Sequence, residues 1–151
     1  MKILVQTVKS GRVIIENKIV GEISKGYLLL VGFTEGDNQE LVNKMVDKLL
    51  KLRIFPDEKG YTNLSIYDVN GDILSVSQFT LYADVSGGRR PSFTNALKPD
   101  LAKDLYQYFN EELERQFSKK IQTGVFGADM LVDSINDGPF TIMLDSKELF
   151  K

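Results

Sequence analysis

The sequence predicts an α+β fold in a single domain, residues 1–151. It is a mixed sheet, or open barrel-like β structure, with two main helices in the element order βββ-α-β-α-βββ. Three observations predict it. Strand-like segments come in runs. Only two stretches carry a helical apolar stripe. Single helices divide the runs of strands, which fits a mixed sheet and not the strict alternation of a doubly wound fold. The chain has 151 residues, 42% hydrophobic and 26% charged, enough for one sizeable core.

Met1–Val8 reads as a short apolar-rich strand, and Gly11-Arg12 punctuates it. Val13–Glu16 leads into a hairpin turn at Asn17-Lys18, and Ile19–Ile23 returns. Tyr27–Phe33 is almost continuously apolar between Gly26 and Gly36, which suits a central strand buried on both faces. The first helix follows, with Asp37 or Asn38 as cap and Glu40 in its first turn. Its stripe is Leu41, Val42, Met45, Val46, Leu49 and Leu50. Pro56 ends that region. Ile73–Tyr82 reads as a strand. Pro99 opens the second helix, with Asp100 favourable to its dipole and Leu101, Leu105, Phe109, Leu113 and Phe117 as the apolar face. Ile121–Phe126, Met130–Ile135 and Phe140–Leu144 read as three closing strands.

Composition excludes whole classes of chemistry. There is no His and no Cys, so Ser-His-Asp triads, Cys-His dyads, disulfides and nearly every zinc site are ruled out. Asp and Glu are not clustered at ligand spacing, so neither a metal nor a cofactor is expected. A net charge of −2 and a pI of about 5.2 speak against a large phosphate footprint. A small contact with an RNA end needs only a few Lys or Arg. No apolar run reaches the roughly 20 residues of a membrane span. The apolar start, Met1–Gln6, is too short for a signal peptide, so cytoplasm is the expected location.

Two stretches carry the candidate chemistry. In Ile73–Tyr82, Leu74, Val76, Gln78, Thr80 and Tyr82 share one face, and Ile73, Ser75, Ser77, Phe79 and Leu81 the other. Both faces change character near position 77. The residues alone allow two readings: a strand running out into a cleft or reversed by a bulge, with Gln78 and Thr80 pointing into one space, or ordinary strand residues at a sheet rim. Asn136-Asp137-Gly138-Pro139 is on its face a turn between strands. A rigid Gly-Pro turn also presents backbone carbonyls in a fixed direction. Such oxygens accept from an ammonium group and exclude a substituent, as chiral discrimination at an α-carbon requires. Gly87-Gly88-Arg89-Arg90-Pro91 brings two guanidinium groups together, either as a phosphate contact or as a solvated turn.

Ser77-Gln78-Phe79-Thr80-Leu81 and Asn136-Asp137-Gly138-Pro139 resemble the paired signature motifs of the D-aminoacyl-tRNA deacylases. The resemblance extends through Arg53-Ile54-Phe55, Asn63-Leu64-Ser65, Arg90-Pro91-Ser92-Phe93, Pro99-Asp100, Thr123–Phe126 and Ala128-Asp129-Met130. It implies hydrolysis of the ester of D-aminoacyl-tRNA, extending to glycyl-tRNA, with the tRNA 3′ end as partner. It implies a homodimer in which each Gly-Pro turn, cis in that family, enters the partner's site. Gln78, Phe79 and Thr80 are the catalytic candidates it implies. Ser77, Phe126, Met130, Gly138 and Pro139 are the substrate-binding ones. Catalysis would rest on main-chain groups and the substrate's own 2′-hydroxyl, with Thr80 positioning rather than attacking. An aminoacyl ester is already activated, so orientation and backbone N–H donors suffice. The chain departs from the family in having Thr7 for Arg, Tyr61-Thr62 for Lys-Met, and Phe140 for Val. Two alternatives compete: an editing deacylase of relaxed chirality, and a non-catalytic RNA-binding module on the same fold.

Overall fold

Strand β3 (Gly26–Gly32) is the centre of the molecule, and its composition explains why. In a computed structural model describing Met1–Lys151, Tyr27, Leu29 and Val31 face one core and Leu28 the other. Only a strand covered on both sides can carry such a run. It pairs antiparallel with β1 (Lys2–Ile15) and parallel with β6 (Asp72–Ser77), which pairs parallel with the short β7 (Gln122–Thr123). The sheet order is β2-β1-β3-β6-β7, with β2 spanning Lys18–Ile23, and β8 (Leu131–Asp145) pairs with β1.

The sheet curls until β2 meets β7. A Cβ on Gly21 would lie 2.6 Å from the Thr123 carbonyl oxygen, so the absence of a side chain there lets the ends approach. The result is a nearly closed barrel. Its inside holds Val8, Val13, Ile23, Leu28, Leu74 and Val76. The other face is covered by α1 (Gln39–Lys51) and α2 (Pro99–Phe117). Val42, Met45, Val46, Leu49, Phe109 and Leu113 pack there on Ile3, Val5, Leu29 and Ile73. This is the mixed α+β architecture that the pattern of strands and stripes predicts. No helix is long and apolar enough to cross a membrane.

Local chemistry sets the helix ends. The Asn38 side chain accepts from the Leu41 N–H, so Asn38 is the cap. Asp37 instead accepts from the Thr34 N–H and the Met1 ammonium, which Ser146 Oγ also accepts at 2.7 Å. Pro99 is the first residue of α2.

Several boundaries differ from those read in the sequence. β1 is one strand through Gly11, and the hairpin turn is Glu16-Asn17, both at positive φ. Ile73–Tyr82 is not one strand. It ends at Ser77, and Phe79–Tyr82 forms a 3₁₀ turn because the Gln78 N–H donates back to Val31 O at 2.7 Å. The change of face near 77 therefore marks a change of secondary structure, not a bulge. On α2 the buried face is Ala102, Tyr106, Phe109, Leu113 and Phe117, and Leu101 is 54% exposed. Of Ile121–Phe126 only Gln122–Thr123 pairs as strand. Met130–Ile135 and Phe140–Leu144, read as two strands, merge into the single strand β8, which starts one residue later, at Leu131. A hairpin of β4 (Arg53–Pro56) and β5 (Thr62–Ser65), and a short terminal helix α3 (Ser146–Leu149), complete the fold.

Candidate active site

A cavity of about 770 Å³ opens where β6 ends. Ser77, Gln78 and Phe79 form its floor. Phe93, Ala96, Leu97 and Ala102 line one wall, and Phe126, Gly127, Ala128 and Met130 the other. Five of the residues singled out in the sequence thus meet in one place: Ser77, Gln78, Phe79, Phe126 and Met130. Its lining is mostly apolar, with a few convergent polar groups, as expected of a small-molecule site.

The floor is set by backbone contacts. The Gln78 N–H is committed to Val31 O, and Gln78 O accepts from the Leu81 N–H at 3.3 Å. Phe79 and Thr80 are the first two residues of the 3₁₀ turn, where N–H groups have no partner within the turn. Gly32 on β3 makes this placement possible: a Cβ there would lie 2.8 Å from Gln78 O and 3.2 Å from Leu81 Cβ. The side chain of Gln78 reaches Thr80, its Nε2 donating to Thr80 Oγ1. Thr80 itself does not line the cavity. No carboxylate or amine touches its hydroxyl, and no three acidic groups converge anywhere on the chain.

Buried hydroxyls hold the walls. Thr34 Oγ1 donates to Asn95 O at 2.6 Å, and the Leu97 N–H to Phe33 O at 3.0 Å, pinning the first wall to the end of β3. On the opposite side, Tyr106 OH donates to Ser75 O at 2.8 Å, and the Gly124 N–H shares that carbonyl at 3.1 Å. Burial pushes the Tyr106 phenol above its ordinary range, so it remains a neutral donor. The Tyr106 and Phe126 rings lie 5.9 Å apart. At the mouth Phe79 and Phe93 meet edge to face at 5.1 Å, and both are exposed. Phe93, Leu97 and Ala102 are wall residues that the sequence reading did not single out as site residues. An aromatic residue in the otherwise polar loop Arg89–Asn95 was the available signal.

Gly138 and Pro139 do not line this cavity. They stand on an excursion of β8, with a cis peptide bond between them and φ of +144° at Gly138, which favours glycine. The β1–β8 ladder pairs Gln6 with Thr141 and Val8 with Asn136. Thr7 alone therefore stands opposite Asp137–Phe140. It is 4% exposed, and its hydroxyl donates to Asp137 O at 2.7 Å. Asn136 closes the ends: its Oδ1 accepts from the Phe140 N–H, and its Nδ2 donates to Thr141 Oγ1, both at 2.9 Å. The turn is thus held at its middle and both ends. Beyond it, β8 has no strand on its outer edge, and Leu131, Ile135 and Met143 are exposed along it.

Comparison with known proteins places these features in company. The profile of the family described as D-Tyr-tRNA(Tyr) deacylase matches residues 4–145. A D-aminoacyl-tRNA deacylase of Lactobacillus gasseri is 53% identical over 145 residues, 96% of this chain and 99% of that one. One of Flavobacterium psychrophilum is 52% identical over 147 residues, 97% of this chain and 98% of that one. Among solved structures, a protein titled c-Myc DNA Unwinding Element Binding Protein superposes with a TM-score of 0.90 at 38% identity, covering 96% of this chain and 98% of that one. A probable eukaryotic D-amino acid tRNA deacylase superposes at 0.83 with 20% identity, over 95% and 97% of the two chains, a likeness of fold.

Proposed function

The chain belongs to the D-Tyr-tRNA(Tyr) deacylase family and hydrolyses the ester bond of D-aminoacyl-tRNA. From that premise we propose that residues 1–151 act as one catalytic unit in the cytoplasm, where aminoacyl-tRNA is used, and that the site is completed by a second copy. The observation that carries this reading is the cavity floor. Two N–H groups without intrahelical partners, those of Phe79 and Thr80, begin a turn beside an apolar cavity large enough for a terminal adenosine and its amino acid.

In the reaction, a water oxygen bonds to the ester carbonyl carbon. The C–O bond to the ribose breaks, and the ribose oxygen takes up a proton. Negative charge collects on the carbonyl oxygen, where the N–H of Phe79 in the cavity floor stabilises it, with that of Thr80, just outside the lining, adding to it. Ser77 and Gln78 orient the ester, and Phe126 and Met130 hold the adenosine and the amino-acid end. Thr80 orients through its bond with Gln78 and has no base beside it to make it a nucleophile. The 2′-hydroxyl of the substrate, beside the ester, is the nearest proton relay.

Gly138 and Pro139 fall outside the cavity of their own chain, and the strand that carries them has an open, partly apolar edge. A twofold pair of chains meeting along β8 would bring each turn to the other's cavity. There its carbonyls would accept from the substrate's α-ammonium and shut out an L side chain, while glycine, with no side chain, would enter. The test is a deacylation series on D-tyrosyl-, glycyl- and L-tyrosyl-tRNA with purified protein. We expect release from the first two and sparing of the third. Equal rates on the D and L forms would favour the relaxed deacylase, and no release from any would favour a binding module.

A further inference from the structure

The cavity accounts for the last nucleotide and its amino acid but leaves open where the preceding RNA runs. Resting on the deacylase reading, we infer that the single-stranded 3′ end of the tRNA leaves the cavity along one cationic margin formed by Arg89, Arg90, Lys98 and Lys103.

The charge distribution carries this. The chain is acidic overall, yet between Gly87 and Lys103 it has these four cations and a single carboxylate, Asp100. None of the four takes part in an ion pair; other Lys and Arg are unpaired too, and what sets this stretch apart is its run of cations with one carboxylate. All four are exposed. Free cations cost no broken ion pair when a phosphate arrives.

Their placement agrees. Lys98 lines the cavity beside the start of α2. Lys103, a turn further, lines a second cleft of about 320 Å³ that shares Phe126 with the cavity. A strand passing over Phe126 therefore moves from one to the other. Further along the same helix Glu111 and Glu114 line that cleft. Phosphates are repelled there, so the favourable path ends near Lys103. Arg89 and Arg90 lie in a loop closed at its neck by the Asp84–Ser92 bridge, whose bonds are both 2.8 Å. The next residue after that neck is Phe93, a cavity wall. Gly87 and Gly88 have open space around them, so the loop extends freely from the wall. Asp84, the acid at the neck, is exposed, and one of its oxygens accepts both donors of Ser86.

The experiment compares two substrates of the same ester: D-tyrosyl-tRNA and 3′-O-D-tyrosyl-adenosine, which lacks the preceding RNA. For the variant Arg89→Ala/Arg90→Ala/Lys103→Ala, kcat/KM on the tRNA should fall tenfold or more, and on the adenosine ester stay within twofold. The slope of log kcat/KM against log salt on tRNA should become shallower, by about 0.7 for each phosphate that the variant no longer neutralises. A control, Lys18→Ala/Lys48→Ala, should change neither. An unchanged tRNA rate and salt slope in the triple variant, an equal loss on both substrates, or an equal loss in the control would overturn the inference while leaving the deacylase reading intact. Absence of hydrolysis of either substrate by the unmodified protein would overturn both.

Discussion

Replacing Thr7 by Val tests whether the Gly138-Pro139 turn must be held to reject L substrates. The two side chains have nearly the same volume, so no cavity opens; what changes is the hydroxyl. Thr7 is 4% exposed and its bond to Asp137 O is 2.7 Å, so in the variant that carbonyl loses its protein partner at a site closed to water on the Thr7 side. Asp137 itself is exposed and water can reach the carbonyl from its other side, so the loss is that of an ordinary hydrogen bond, about 0.5–1.5 kcal/mol. If the turn relieves this by swinging away, the held arrangement loses up to that amount relative to displaced ones. Each 1.4 kcal/mol is tenfold, so the D-over-L ratio of kcat/KM should drop by about two- to tenfold, mainly through faster L hydrolysis. Thr7→Ser keeps the hydroxyl and removes one methyl, costing about 0.8 kcal/mol, and should restore most of the ratio. The assay is single-turnover deacylation of D- and L-tyrosyl-tRNA beside urea unfolding of each variant. A stability loss above 1 kcal/mol with an unchanged D-over-L ratio would refute the reasoning, since Thr7 would then support the fold alone.

Thr80→Ala should retain activity within about tenfold, because the Thr80 hydroxyl touches only Gln78; a loss of about 10⁴ or more, or an acyl group trapped on Thr80, would make it a nucleophile. Ile135→Lys, on the open edge of β8, should yield a monomer in light scattering with little deacylation, and a fully active monomer would remove the shared site. Glu112 is 6% exposed and accepts from Arg115 Nε at 2.9 Å and Gln116 Nε2 at 2.8 Å. The Arg115 bonds and, to a lesser extent, Gln116 hold its carboxyl below the usual range. Its folded pKa therefore lies below its unfolded one, so its contribution is present above about pH 4.5 and fades as pH falls through the folded value. Glu112→Gln should cost about 1–3 kcal/mol in urea unfolding at pH 7, with the difference from the unmodified protein narrowing toward pH 3. Activity should persist in EDTA, and its loss with recovery on adding zinc would point to a metal site.

The parts of this structure that could be read in the sequence are those in which one segment carries its own signal. β3 announces itself because a strand covered on both faces has no polar positions. α1 does so because its stripe and its cap agree. Ser77–Thr80 stood out because the character of both faces changes at the point where β6 stops. What could not be read depends on partners distant in the chain. The 3₁₀ turn at Phe79 exists because Val31 O captures the Gln78 N–H. β8 is one strand because β1 pairs with it on both sides of the turn. On α2, Ala102 and Tyr106 are buried where Leu101 was expected; a small residue and an amphipathic one give a weak stripe, and only packing decides between them. Thr34, which pins a wall of the cavity, is an ordinary residue after an apolar run until Asn95 is seen beside it.

The glycine at position 32 bears on how this protein can be altered. At the last position of β3 a glycine gives up at most about 0.5–1 kcal/mol relative to alanine, and nothing in the β3 ladder itself asks for it. On strand propensity alone Gly32→Ala or Gly32→Val would look stabilising, but the close approach of the Gln78 carbonyl at the cavity floor reverses that. The added methyl would press on the Gln78 carbonyl and tilt the Phe79 and Thr80 N–H groups away from the ester oxygen. Thermostable lineages of this protein should therefore accumulate changes elsewhere and leave position 32 untouched, and Gly32→Ala should lower melting temperature and turnover together.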